Sequence, residues 1–201
     1  MPPSMVITDR RAPCDATPAL MGHAGPAVLD AGGGTFRQRI RSETRRAHDL
    51  VDDEMSMFDL RDAGSYARFL ARHGHALSIL QSQVRSEDQS DIQAMADAVE
   101  ADLGILGLQN APVAFGPERL DGFGVAYVIR GSRMGARVLR GCIGLGLPTQ
   151  YMDFTPTLGW REFLAALEAY AAEGGEAVQG KIVHAARRAF EAFSPAHDRP
   201  S

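Results

Sequence analysis

His48 is the residue around which chemistry can be built. Phe36, Ile40, Thr44 and His48 recur every four positions, with Ala47 and Val51 on the same side. The imidazole therefore closes an inward-facing stripe of an α-helix. Arg37, Arg39, Arg41, Arg45 and Arg46 crowd the flanks of that stripe. An inward imidazole with cations a turn or two before it suits a metal-bearing, negatively charged cofactor, because a ring nitrogen ligates metals and guanidinium groups pair with acidic ones. For such a histidine taken alone, a hydrogen-bonded place in the core is the plainer alternative.

A second stretch, Gly124 to Gly146, has helical spacing from Tyr127 to Leu145 and yet contains Gly131, Gly135, Gly141 and Gly144. Each glycine inside a helix costs roughly 1 kcal/mol relative to alanine. Several together imply a bend, or a group approaching the backbone closely. Gly131 and Gly135 fall one turn apart, with Ser132 beside them. In a lipid setting this spacing would mark helix dimerisation, but Arg130, Arg133, Arg137 and Arg140 exclude that reading. A flat ligand against a bare backbone and tight helix–helix packing both remain open from the residues.

Other residues that could do chemistry form weaker patterns. His73 and His75 fall on different helix faces and do not chelate one metal at i, i+4. His184 is a single residue of an amphipathic helix, and His23 and His197 lie in the terminal segments. Asp52, one turn after His48, is placed to orient its surroundings, while Asp52, Asp53 and Glu54 together read as a solvated helix end. No CxxC or HExxH pattern occurs, and Cys14 and Cys142 do not make a disulfide framework.

The elements that must position these residues are all helical. A first helix runs from Thr35, as N-cap, to Asp53, and a second runs from Ser65, as cap, to Val84. Arg85 to Ser90 reads as a loop or weak turn, and a third helix spans Asp91 to Leu103 with Ile92, Met95, Val99 and Leu103 inward. Gln109 to Gly116 is irregular. A further helix leads from Glu118 into the glycine-bearing stretch. Gly159 to Ala172 and Glu176 to Phe193 make the last two, divided by Gly174-Gly175 and stopped by Pro195. No stretch alternates with the period of a strand. The expectation is an all-α, single-domain helical bundle over 35–194, with a flexible proline- and glycine-rich tail at 1–34 and a short tail at 195–201.

The totals agree with such a domain. The chain has 201 residues, 45% hydrophobic and 23% charged, with a net charge of −4. That balance offers no nucleic-acid footprint. No apolar run of about 18 residues could span a membrane, and the N-terminus does not make a signal peptide. The expected location is the cytoplasm, with no nucleic-acid or membrane partner.

TRRAHDLVD, followed about eighty positions later by YVIRGSRMG and then by GWREFLAALE, resembles the heme oxygenase family, and its bacterial, biliverdin-producing branch most closely. The resemblance covers Phe36 to Phe193. It implies a heme oxygenase-like bundle in which His48 is the axial ligand of heme iron and the helix with Gly131, Ser132 and Gly135 lies over the opposite heme face. It places Arg41 and Arg45, and more weakly Arg161, near the propionates, with Tyr127, Phe190 and Phe193 around the pocket.

The same resemblance implies heme (iron protoporphyrin IX) as both cofactor and substrate. O2 and an external electron donor, such as a ferredoxin or a flavoprotein reductase, would complete the reaction to biliverdin, CO and iron. A bacterial phytochrome is an implied receiver of the biliverdin. One departure stands out: the animal enzymes carry an aspartate after the first distal glycine, where this chain has Ser132, as other bacterial members do. It leaves the proton path open, and a heme-binding or sensing protein without turnover is the alternative.

Overall fold

The computed structural model describes residues 34–109 and 118–194. Their regular structure is helical throughout, with α1 at Phe36–Met55, α2 at Ala63–Leu80, α3 at Ser86–Ile105, α4 at Gly122–Leu139, the short α5 at Gln150–Asp153 and α6 at Trp160–Ala192. The expected all-α bundle is what these residues form. Expectations for 1–33, 110–117 and 195–201 lie outside the described residues. No helix among the described residues is long and apolar enough to cross a membrane.

The long α6 is the element on which the others rest. Both α1 and α4 pack along it, whereas α1 and α4 scarcely touch each other; α2, α3 and α5 close the far side. Its inner face is built from Ile182, Ala185, Ala186 and Ala189, all fully buried. These small side chains let α4 come close. A Cβ on Gly124 would overlap the carbonyl oxygen of Ile182 and crowd Ala185. We expect Gly124→Ala to destabilise the fold by about 1–3 kcal/mol, read as a lower urea midpoint with an unchanged slope.

Gly174-Gly175 breaks α6 as expected, into two helical parts that meet at a kink. The backbone of Gly175 turns to φ 62°, ψ −162° and the helix resumes beyond it as a kink, a conformation reserved for glycine. The helix starts are set by side chains, some of them distant in sequence. Asp62, not Ser65, caps α2, its carboxylate accepting from the Ser65 N–H at 2.7 Å. Gln38 Oε1 accepts from the Thr35 N–H at 3.1 Å. Glu168 of α6 accepts from the N–H groups of Phe36 and Arg37 at 3.2 and 2.9 Å, satisfying donors that the first turn leaves orphaned.

The stretch from Ser86 to Ser90 is a correction to the sequence reading: it is the first turn of α3 and not a loop. Asp88 explains why. It is fully buried and receives Arg130 Nη2 at 2.6 Å and Arg85 Nε at 2.7 Å. Asp91 takes Arg130 Nη2 at 3.0 Å and the Thr157 N–H and hydroxyl, while Arg130 Nη1 donates to the Leu158 carbonyl. This network ties α3, α4 and the approach to α6 together. Asp102, also fully buried, accepts from the N–H groups of Gln150 and Tyr151 at 3.0 Å each and so caps α5.

Candidate functional site

On α1 the stripe ends as expected, with the His48 side chain only 18% exposed. Its Nδ1 stands 3.3 Å from Oδ2 of Asp52, one turn on, and Phe190 of α6 meets the ring edge-on at 5.8 Å. Asp52 is itself buried. Its place in a solvated helix end is therefore a correction, since the i, i+4 geometry turns it onto the His48 side of the helix. Its place as an orienting group agrees with the distance. A carboxylate one turn on at Nδ1 orients the imidazole, as outer partners do for metal-bound histidines.

Opposite α1 is α4. Gly135 and Ser132 are buried and Gly131 is half-buried. The Ser132 hydroxyl donates to the Ile129 carbonyl within its own helix, at 2.7 Å. Ser132 also lines a cavity of about 20 Å³ with Val51 and Met55 of α1, His73 of α2, Arg133 of α4 and Phe193 at the end of α6. Phe193 and Phe190 thus link the two faces: Phe190 touches His48, and Phe193 borders the cavity behind Ser132 and meets His73 edge-on at 5.6 Å.

The cationic and aromatic candidates divide by position. Tyr127 is half-buried on α4, 5.7 Å from the Trp160 ring. Burial pushes its phenol above the ordinary tyrosine value, and the neighbouring Arg41 guanidinium works in the other direction. Arg41 of α1 is exposed and lies near enough to Tyr127 of α4 for its charge to be felt there. Arg161 is exposed in the first turn of α6, next to Trp160. Arg45 projects outward, 73% exposed, with Nε 3.7 Å from Asp49. Of the remaining arginines of α1, Arg37 pairs with Glu168, and Arg39 with Glu43 and Glu176; both serve the packing of α1 on α6.

His73 is a packed core histidine, as expected of it alone. It is fully enclosed, its Nδ1 lies 2.9 Å from the Phe69 carbonyl, and burial lowers its pKa to about 4. Because the folded value lies below the unfolded one of about 6.5, the neutral ring contributes fully above pH 6.5, and that contribution is lost as pH falls from 6.5 towards 4. We expect His73→Phe to flatten the dependence of unfolding free energy on pH over this window, by about 3 kcal/mol at its lower end, in urea titrations at a series of pH values.

Sequence reasoning missed the buried ionic residues. Asp88, Asp91 and Asp102 extend the α3 stripe of Ile92, Met95 and Val99 at helical intervals, and Arg130 and Arg133 stand four residues after Ala126 and Ile129. That positional signal was present. Among the described residues no group of three or more His, Cys, Asp or Glu could hold a metal ion. No family model, curated protein or solved structure matches this chain.

Proposed function

We propose that the chain is a heme oxygenase with a heme oxygenase-like bundle, binding heme between α1 and α4 and converting it, with O2 and electrons from a ferredoxin or flavoprotein reductase, to biliverdin, CO and iron. The observation that carries this reading is the carboxylate-backed His48 on α1, a helix that rests with the glycine-bearing α4 on α6 while the two scarcely touch. One imidazole suffices where a porphyrin would supply the iron's remaining protein-independent ligands. The donor set therefore fits heme.

Bound heme supplies the redox centre at which O2 is reduced and the macrocycle edge that is oxidised. The chain's own residues do the rest. His48, held in register by Asp52, would hold the heme iron through a ring nitrogen, and Phe190 packs edge-on against its ring. Gly131 and Gly135 leave α4 without side chains at two points one turn apart. Arg41 beside Tyr127, Arg161 beside Trp160, and more distantly Arg45, are the cations available to the propionates. Ser132, its hydrogen donated to Ile129, acts through its oxygen lone pairs and orders water. It brings no carboxyl proton.

That last point is the specific observation favouring a second reading, a heme-binding or sensing protein without turnover. One experiment separates the two. Protein loaded with hemin is followed by visible spectroscopy, and a reductant is then added in air. The enzyme reading expects the Soret band to decay into the broad red absorption of biliverdin. A Soret band that persists with a ferredoxin, a flavoprotein and a chemical donor supports the second reading, and absence of any Soret shift removes both. A phytochrome receiving the product is the downstream partner this reading implies.

A further inference from the structure

The two buried arginines of α4 lie three residues apart and are treated very differently. Arg130 is neutralised by Asp88 and Asp91. Arg133 is only 5% exposed, yet no carboxylate among the described residues pairs with it. Its Nη1 donates to the Tyr151 carbonyl at 2.7 Å, and its guanidinium lies 4.2 Å from the centre of the Tyr151 ring. Its Nε is buried without a hydrogen-bond partner. Asp102 reaches Arg133 only through the backbone of Tyr151, whose N–H it receives.

A guanidinium cannot shed its proton to escape this environment. A buried, unneutralised charge is costly unless something of opposite sign accompanies it. Burial already works against the charged form here. Arg133 borders the 20 Å³ cavity, whose other walls include the Ser132 side chain, Val51, Met55, Met152 and Phe193, with the neutral His73. The cavity is sized for a group of roughly water dimensions, so phosphate, sulfate and organic carboxylates are too large.

We propose that this cavity is a binding site for a small inorganic monoanion of the halide class, held by the Arg133 guanidinium. The anion neutralises Arg133 in the way that Asp88 and Asp91 neutralise Arg130. The site lies in the interior between α1, α2 and α4 and does not depend on the heme reading; a chain that never binds heme would still carry it.

The test is thermal unfolding of the heme-free full-length protein at fixed pH and ionic strength, with sodium gluconate replaced stepwise by sodium chloride or bromide. We expect a saturable rise in Tm of about 5 °C at saturation, absent in Arg133→Met and retained in Arg137→Met, a substitution of an exposed arginine of the same helix. Should Arg133→Met not fold, crystals of the unaltered protein grown in bromide are expected to show an anomalous peak beside Arg133 Nε. A Tm indifferent to the anion, a rise that survives in Arg133→Met, or bromide crystals without that peak would overturn the proposal and leave the cavity to water. Heme binding, followed separately by its Soret band, distinguishes a failure here from a failure of the heme reading.

Discussion

Replacing His48 by alanine is expected to lower biliverdin formation by at least about 100-fold, with the visible spectrum of the hemin complex changed. The magnitude follows from the support around the ligand. Loss of an outer partner such as Asp52 typically costs 10–100-fold in affinity or activity, and loss of the ligand itself cannot cost less. Asp52→Asn is accordingly the graded companion: its amide keeps the volume at the 3.3 Å contact with His48 Nδ1 but removes the charge. Exogenous imidazole should restore part of the spectrum in His48→Ala, since the ring's place between α1 and Phe190 is left open. An alanine variant with ordinary turnover and an unchanged Soret band would defeat the assignment of His48 as ligand.

The largest effect on stability is expected at Asp88. Its side chain is 1% exposed and shared between Arg130 and Arg85 at 2.6 and 2.7 Å. Removing it leaves Arg130 buried with Asp91 alone and detaches Arg85 from the start of α3. Breaking a buried pair from one side costs about 3–5 kcal/mol. In a chain of 201 residues this is a fall in Tm on the order of 10 °C. The double variant Asp88→Ala, Arg130→Met should be less unstable than the sum of its parts, because no unmatched guanidinium remains. Additive losses, measured by urea unfolding, would show that the pair does not act as a unit.

Much of the bundle was legible in the sequence, for a simple reason. The stripe Phe36, Ile40, Thr44, His48 and its counterparts in the other helices repeat at the helical period, and the buried residues follow them. Where the pattern is set by distant partners, reading along the chain failed. Nothing local to Ser86–Ser90 says that Asp88 will meet Arg130, so a helical turn looked like a loop. Nothing local to Thr35 says that Glu168 will cap α1. The candidate site divides in the same way. His48 and its i, i+4 neighbour Asp52 are adjacent by helix geometry and could be read directly. The meeting of His48 with Phe190, and the nearness of the Arg41 charge to Tyr127, require α6 and α4 to be in place. The buried arginines of α4 were taken only as evidence against a membrane, because charge was weighed and the helical register of each charge was not.

Since α1 and α4 each rest on α6 and scarcely touch one another, the spacing between them is governed by a third party. The alanines at 185, 186 and 189 and the ring of Phe190 act as a shim. Enlarging one of the alanines would move α4 relative to α1 without altering any residue of either helix. The spacing of α1 and α4 is thus adjustable from behind, by substitutions that an inspection of those two helices would never single out.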